Sequence, residues 1–382
     1  MTARLCIERS VLSAVALGTI AVLAAGCSTE PLTGGTDVGN GDVSASIQEC
    51  IDTTSAYLDE RGLVPNALPD GLTPLAEKPT EGLVFTDVFQ GNPIGLTYAE
   101  ALKEAANEVG WEGRSVTFNG SVEDLNIKAM EAIETSDIVF VDGFPAAALT
   151  GPIAAAKEKG VLLMLGSITD EPESVPGFGS VPQGGTWFEQ IGELAAYMFM
   201  DSTGCEGSVA YFGIPYPASR AAAERMGEVI AEVCNDCAFS TTELPVADLG
   251  SPAATNAVVS KVQADPSVDF TYFFLGGMAT GVPAALKTAG LDAQVAGSIP
   301  TSSDLATTKA GENTFWVGTA ADITAWLTVD LAARTLESGE PMIGDQAPLA
   351  VYTQDNLDEV EPVPAYPVDY REQFKALWGL DE

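Results

Sequence analysis

The side chains of this sequence that could do covalent chemistry are its six cysteines, because histidine is absent. Without histidine, Ser-His-Asp and Cys-His catalysis and histidine-bound metals are excluded. Cys234 and Cys237 have the spacing of a redox CxxC pair, but they follow a predicted helix, whereas a reactive thiolate is stabilised at a helix N-terminus. We therefore predict that these two form a structural disulfide. Cys205 either pairs with Cys50 or stays free, and the sequence leaves that choice open.

Cys27 follows a segment with the layout of a secretory signal. Two arginines near the start precede an uncharged apolar run over residues 11–26, which at about 16 residues is short for a membrane-spanning helix. The small residues before Cys27 resemble the bacterial lipobox. This resemblance implies cleavage after Gly26 and two or three acyl chains on the new N-terminal Cys27, enough for a stable anchor. The alternative is an ordinary signal in which the cysteine stands by chance.

The sequence is strongly acidic, with 54 Asp and Glu against 17 Lys and Arg and a formal net charge of −37. Such a surface repels nucleic-acid phosphates and anionic lipid heads, so we expect no nucleic-acid partner and membrane contact through the lipid anchor only. The simplest interpretation of the charge is solubility, in a saline habitat that screens the self-repulsion. No EF-hand-like spacing of aspartates occurs, and we expect neither a metal nor a cofactor.

Short apolar runs alternate with amphipathic stretches from Leu83 onwards. Runs such as LVFTD, DIVFV and VLLML are typical of buried strands, and TYAEALKEAANEVG has the periodicity of a helix. The same alternation starts again at about residue 185. Two α/β units of comparable length predict two Rossmann-like lobes with parallel sheets, whose strand carboxyl ends face each other across a cleft.

Four segments resemble stretches of the type I periplasmic solute-binding proteins of the ribose/galactose-binding class: FTDVFQGNPIG with the helix after it, SVPQGGTWFEQIGELAAYM, VGTAADITAWLTVDLAARTLESGEP and PLAVYTQDNLDE. Their order and spacing extend the resemblance over about residues 83–380. It implies two Rossmann-like α/β lobes joined by a three-strand hinge, with crossings near Pro182, Thr319 and Ala347. Ligand binding would close such lobes about the hinge.

The resemblance also implies the organisation of the whole chain and its role. The expected parts are a signal peptide at 1–26, a lipid tether with an N-terminal extension at 27–81, an N-terminal lobe at 82–182 plus 320–346, and a C-terminal lobe at 183–319 plus 347–382. We expect a monomer that is lipid-anchored on the extracytoplasmic face of the cell membrane. It would capture a small-molecule ligand and deliver it to an ABC transporter permease.

Two other functions compete with transport. A ligand sensor of the same fold would use the same cleft and signal to a membrane receptor. An extracellular enzyme without histidine would need a Ser-Lys pair, a Tyr-Arg pair or two paired carboxylates. No SxxK motif stands at a strand-to-helix turn, and no motif brings two carboxylates together, so we expect that the protein is not an enzyme.

The candidate ligand-binding residues follow predicted strands or begin the helices after them. Phe89 matches the position of a ring-stacking aromatic in the family, with local core packing as the alternative. Asp142 could instead cap a helix, Trp187 could pack within its helix, and Arg220 could lie on a solvated helix face. The full set is Phe89, Gln90, Asn92, Asp142, Phe144, Ser167, Trp187, Tyr216, Arg220, Met278, Thr301 and Asp322.

The chain departs from the family at the positions that commonly hold sugar hydroxyls. Carboxylates, amides and an arginine are replaced by small, apolar or hydroxyl-bearing residues at 166–168, 276–278, 299–302 and 320–321. Carboxylates and amides bind sugar hydroxyls through paired hydrogen bonds. We therefore expect a ligand that is less hydroxylated than a free hexose or pentose, such as an aromatic or otherwise apolar molecule.

Overall fold

The computed structural model describes residues 44–91, 93–142, 144, 146–166, 178–180, 186–249, 251–340 and 342–380. The predicted signal peptide, Cys27 with the residues up to 43, and the predicted crossing near Pro182 lie outside the described residues. Within this described part, no helix has both the length and the apolar character needed to cross a bilayer.

The N-terminal lobe is built on a five-stranded parallel sheet. Among the described residues the chain opens with helix α1 (Ala45–Arg61) and then forms β1 (Val84–Gln90), α2 (Pro93–Glu108), β2 (Glu112–Phe118), α3 (Val122–Ile133), β3 (Ile138–Asp142), α4 (Thr150–Lys159), β4 (Leu162–Gly166) and β5 (Phe178–Ser180). The strand order is β2-β1-β3-β4-β5, and every pairing is parallel. All strand carboxyl ends therefore lie along one edge of the sheet.

The C-terminal lobe repeats this plan with six strands. Its elements are α5 (Thr186–Thr203), β6 (Gly207–Gly213), α6 (Pro217–Val233), β7 (Cys237–Glu243), α7 (Pro252–Ala264), β8 (Phe270–Phe273), α8 (Val282–Thr288), β9 (Gln294–Ser298), α9 (Ser302–Lys309) and β10 (Phe315–Gly318). The later strand β11 (Ala350–Thr353) completes the order β11-β10-β9-β8-β6-β7 and is the one antiparallel member.

Local sequence signals explain where these elements begin and end. The Ser121 hydroxyl accepts the Asp124 N–H at the start of α3, which satisfies one of the donors that the first helical turn leaves unpaired. Gly160, at a φ of 71°, ends α4 in the left-handed conformation that suits glycine. All four residues of β8 are buried, as expected for a strand covered by helices on both faces.

Helix α10 (Ala321–Ser338) returns to the N-terminal lobe and packs beside α2. Its Trp326 is fully buried in the same hydrophobic cluster as Phe85 and Tyr98. The last helix, α11 (Tyr370–Leu377), joins this cluster as well, so the assignment of residues 347–382 as a whole to the C-terminal lobe is wrong for its final part. The physical reason is the apolar face of α11, which is covered by the indole of Trp326 on α10.

Two disulfides are present in the described structure. Cys234 and Cys237 are bonded to each other, as the sequence predicts, and they lie between the end of α6 and the start of β7. Cys50 on α1 is bonded to Cys205, which directly follows the turn after α5. The second pairing resolves the choice that the sequence left open, and it attaches the N-terminal extension covalently to the C-terminal lobe.

Asp330 on α10 is a buried carboxylate whose titration predicts a pH-dependent stability. It accepts hydrogen bonds from Arg334 Nε at 2.6 Å and from Trp378 Nε1 at 2.8 Å. Burial nevertheless raises the pKa of this carboxyl, against the lowering effect of Arg334 and Trp378. The folded protein therefore binds this proton more tightly than the unfolded chain does.

We expect the stability contributed by Asp330 to be greatest in acid and to fall as the pH rises from the ordinary aspartate pKa through the raised folded value. Asp330→Asn removes this titration, so over that window its unfolding free energy should fall less, or rise more, with pH than that of the wild type. Urea unfolding at a series of pH values measures both slopes. Equal slopes in the two proteins would contradict the assignment.

Candidate functional site

The carboxyl edge of the N-terminal sheet brings several candidate residues together. In the strand register, Gln90 at the end of β1 lies opposite Phe118 at the end of β2, and Asp142 at the end of β3 lies opposite Gly166 at the end of β4. The backbone therefore places Phe89, Gln90 and Asp142 at one edge of the sheet. Asn92, Ser167 and the side chain of Asp142 lie outside the described residues.

The side chains described at this edge surround the end of β2. Phe89 is buried, Gln90 is exposed, and a Cβ atom added to Gly120 would lie 3.0 Å from Gln90 Nε2. The ring of Phe144 meets Phe118 edge-on with the centroids 5.5 Å apart. Phe89 and Phe118 are buried, so the structure agrees with the alternative of local core packing for Phe89. The exposed amide of Gln90 and the half-buried ring of Phe144 are the groups at this edge that a ligand could contact.

Asp87 on β1 is a buried carboxylate close to this edge that the sequence analysis did not single out. It lies two positions before Phe89 on β1, so both side chains point to the same face of the sheet, and it is only 1% exposed. Aspartate is almost never fully buried unless its charge is compensated. A carboxylate inside the apolar run LVFTDVF is the sequence signal that would have identified it.

The C-terminal lobe contributes an aromatic row at the start of α5. The Trp187 and Phe188 rings meet edge-on with centroids 5.1 Å apart, and Phe188 lies 5.7 Å from Phe274, which follows β8. Trp187 Nε1 donates a hydrogen bond of 3.0 Å to the carbonyl oxygen of Ala347. Trp187 is therefore held at the segment where the chain passes between the lobes, which is a packing role beyond its own helix.

Three other candidates in the C-terminal lobe have partners inside that lobe. Arg220 Nε donates to Glu243 Oε1 at 2.6 Å on the surface, as expected for the alternative of a solvated helix face. Met278 is buried in the core of the lobe. The Thr301 hydroxyl caps α9 and donates to Asp304 at 2.6 Å. Met278 and Thr301 therefore have local packing and capping contacts that the sequence analysis did not indicate.

Asp304, like Glu243, is a carboxylate whose partners lie within the C-terminal lobe. Its Oδ2 atom accepts the backbone N–H groups of Gly277 and Thr301, each at 2.9 Å. It thereby joins the turns that follow β8 and β9. Ile299 in the second turn has a φ of 51°, which is unusual for a β-branched residue, and its carbonyl oxygen accepts the N–H of Gly276. A Cβ atom on Gly276 would overlap that carbonyl oxygen.

Asp322, at the start of α10, is engaged on the side of α11. Its carboxylate accepts the Tyr370 hydroxyl at 3.0 Å and lies 3.5 Å from Arg371 Nη2. Burial raises the pKa of Tyr370, and the nearby charge of Asp322 raises it further. Tyr216, by contrast, begins α6 with a side chain that is 43% exposed, so its ring is accessible to solvent.

The residues directly after the five parallel strands β6 to β10 of the C-terminal lobe are uncharged. In strand order they are 214–216, 244–245, 274–278, 299–301 and 319–320. Asp304 is buried and engaged, and Arg220 and Glu243 at the end of β7 form a surface pair with no net charge, so the other groups at this edge are mainly apolar, aromatic and hydroxyl-bearing. Such an edge matches an uncharged ligand, because a charged one would lose its hydration without gaining a partner.

The family model described as "Periplasmic binding protein domain" matches residues 84–341. Among solved structures, the periplasmic ribose ABC transporter protein of Conexibacter woesei DSM 14684 is 21% identical with a TM-score of 0.60, over 74% of this chain and 95% of that one. A periplasmic solute-binding protein of Actinobacillus succinogenes 130z with bound D-allose is 16% identical with a TM-score of 0.61, over 72% and 98%.

The 5-methylthioribose transporter solute-binding protein of Thermotoga lettingae TMO is 15% identical with a TM-score of 0.59, over 80% of this chain and 99% of that one. A search of curated proteins finds no match. At these identities the likeness is one of fold, and it confirms the predicted α/β architecture of two lobes with parallel sheets.

Proposed function

Since this chain belongs to the periplasmic binding protein family, we propose that its cleft captures an uncharged small molecule and that the loaded form delivers it to an ABC transporter permease. Membership makes the chain an extracytoplasmic solute-binding protein and not an enzyme. The observation that supports the proposed ligand class is the absence of charged residues directly after strands β6 to β10 of the C-terminal lobe, where the ring of Tyr216 is exposed.

Hinge closure is supported by the few residues that join the lobes. Val317 packs in the C-terminal core and Ile323 in the N-terminal core, so the chain passes between the lobes within residues 318–322. It passes back between Ala347, in the N-terminal core, and Leu349, in the C-terminal core. Rotation about a few backbone torsions in such short segments moves each lobe as a rigid body.

The ligand is proposed to be less hydroxylated than a free sugar. The proteins of known structure that resemble this chain include a periplasmic ribose ABC transporter protein, a solute-binding protein with bound D-allose and another in complex with 5-methylthioribose. In this chain, the buried carboxylate of Asp304 is engaged by backbone N–H groups of the C-terminal lobe, and Arg220 is paired with Glu243 on the surface. An apolar or aromatic part on the ligand would instead stack on the rings at the mouth of the cleft.

Mass spectrometry of the small molecules released by denaturing the purified protein tests the proposed function. We expect one uncharged compound in near-stoichiometric amount, and calorimetry should show that it rebinds to refolded, stripped protein with one site. Ribose, glucose and galactose serve as comparison ligands. Tight binding of any of these three sugars would contradict the ligand class, and the absence of both a released compound and any rebinding would contradict solute capture.

We propose that Cys27 carries the lipid that holds the protein at the membrane. In a host that processes lipoproteins, Cys27→Ser should move the protein from the membrane fraction into the soluble extracytoplasmic fraction, because a single unmodified N-terminus cannot replace two or three acyl chains. Fractionation followed by immunoblotting measures this, with calorimetry on the released protein as a control for intact binding. A Cys27→Ser protein that stayed in the membrane fraction would contradict the anchor.

A further inference from the structure

The two terminal segments of the chain cross between the lobes in addition to the hinge segments. We propose that residues 62–80, the N-terminal strap, and residues 354–369, the C-terminal strap, limit how far the lobes separate in the ligand-free protein. This inference rests on the proposed function only in assuming that the lobes move about their hinge. Each strap is attached at both ends, by contacts that belong to different lobes.

The N-terminal strap starts from a firm attachment on the C-terminal lobe. Helix α1 is bonded to that lobe through Cys50–Cys205. The Tyr57 ring stacks on Tyr197 of α5, with centroids 3.7 Å apart. At the end of α1, Arg61 Nη2 donates to the Leu349 carbonyl oxygen at 2.6 Å.

The same strap then lies beside β11 and ends on the N-terminal lobe. The N–H of Val351 in β11 donates to the Leu63 carbonyl oxygen at 2.7 Å. Further along, Leu68 is buried in the N-terminal cluster, and the Leu75 N–H donates to the Leu377 carbonyl oxygen at 2.8 Å. Trp111 Nε1 donates to the Thr80 carbonyl oxygen at 2.8 Å, which secures the end of the strap beside β2.

The crossing within this strap is short. Val64 packs against the C-terminal core and Leu68 is buried in the N-terminal core. Four residues span at most about 14 Å when fully extended, and Pro65 reduces the conformations available to the link. On this side the lobes can therefore move apart only by the difference between the fully extended length of this link and its length in the structure, unless one attachment breaks.

The C-terminal strap is attached in the same manner. The Tyr352 hydroxyl of β11 donates to the Pro364 carbonyl oxygen at 2.9 Å, and Tyr366 packs against the C-terminal core. The neighbouring Ala365 packs against the N-terminal cluster, and α11 follows with its apolar face in that cluster. On its outer face, Arg371 pairs with Glu104 of α2 at 2.5 Å.

Both straps lie next to β11, close to the segment where the hinge crosses at residues 347–349. Because each strap is short and attached at both ends, a rotation that opens the lobes extends the strap and stops when the strap is fully extended. A protein whose open states are restricted loses less conformational freedom when a ligand closes it, so the straps preorganise the cleft. The two straps thus act on the range of open conformations of the lobes and not through a contact with the ligand.

Pulsed electron paramagnetic resonance on the ligand-free full chain tests the proposal. Spin labels carried on an unnatural amino acid at Glu123 of α3 and Asn256 of α7, both exposed, report the distance between the lobes and leave the disulfides intact. One variant carries six Gly and Ser residues inserted after Asn66, and a second carries them after Val368. A control variant has the same insertion after Asp292, in a loop of the C-terminal lobe that makes no crossing.

We expect each strap insertion to shift the distance distribution to larger values, within the about 20 Å that six added residues can span, and the double insertion to shift it further. The control should match the wild type. Circular dichroism verifies that the variants are folded, and loops accept such insertions at about 1 kcal/mol or less. Unchanged distances in both folded strap variants would overturn the proposal.

Because these distances are measured without ligand, the outcome does not depend on the proposed function. A protein that releases and rebinds no small molecule could still show strap-limited lobes, and a confirmed binding protein could show no effect of the insertions. If an insertion prevents folding, Leu68→Ala offers a milder release of the N-terminal strap, because it removes the side chain that holds the strap in the N-terminal cluster. Its distance distribution should broaden toward larger values, and an unchanged distribution in this folded variant would equally overturn the proposal.

Discussion

Replacement of Cys50 and Cys205 together by alanine lowers the free energy of unfolding by about 3–5 kcal/mol. The disulfide between them joins residues 155 positions apart, and closing so long a loop removes much conformational entropy from the unfolded chain. It also holds α1 against α5, where Cys50 is buried in the C-terminal core. Denaturant unfolding without reductant, followed by far-UV circular dichroism, measures the loss.

The second disulfide of the same protein is the matched control. Cys234 and Cys237 are separated by only 3 positions, so the same entropy relation gives about 1–2 kcal/mol for replacing both by alanine. The prediction is thus a difference between two double variants that remove the same number of sulfur atoms. Equal losses from the two pairs would contradict the argument from loop length.

Trp326→Ala is expected to cost about 3–5 kcal/mol, because it removes a large side chain from a closed aromatic cluster. The indole is fully buried, and it stacks on Trp378 with ring centroids 5.2 Å apart, while Tyr370 and Phe374 lie at 5.5 and 5.7 Å. Its ring nitrogen has no hydrogen-bond partner in the described structure, so the expected loss is one of packing. Chemical denaturation measures the change in unfolding free energy.

The position of Trp326 makes a further readout available. It connects α10 with α11, so the alanine variant should also speed amide hydrogen exchange in residues 370–378 relative to the strands of the C-terminal lobe. Trp326→Phe, which keeps an aromatic ring in the cluster, is the control and should lose less than half as much stability. A loss below about 1 kcal/mol in Trp326→Ala would show that the cluster is not a closed core.

The fold was predictable because its signals are local. Apolar runs of four to seven residues such as those of β4 and β6, alternating with helical periodicity, specify buried parallel strands and covering helices without any knowledge of distant contacts. The same local reasoning placed Cys234 and Cys237 after a helix and identified their disulfide. Helix α11 was assigned to the wrong lobe. An amphipathic sequence shows that one face of a helix packs against the protein, but it does not show against which surface.

The candidate site was predictable to a lesser degree. The α/β pattern predicts that parallel strands end at a common sheet edge, and the strand register places the backbone of Phe89, Gln90 and Asp142 at one such edge. That these residues bind a ligand stays a prediction. The engagement of Thr301 with Asp304 and of Arg220 with Glu243 depends on which turns and strands meet in space. A side chain at a strand end is available to a ligand only when no neighbouring element satisfies it first, and that condition is tertiary.

The sequence by itself determined the class of fold, the two lobes, the uncharged residues directly after strands β6 to β10, and the expectation of a leader over residues 1–26 that precedes Cys27. Each of these depends on residue types at short spacing. Only the tertiary structure decided that Cys50 bonds to Cys205, that Asp322 pairs with α11, and that both chain ends cross between the lobes. Those features join residues far apart in the chain. The free energy that stabilises them, against the entropy lost in bringing distant residues together, comes from surfaces that exist only once the lobes have folded.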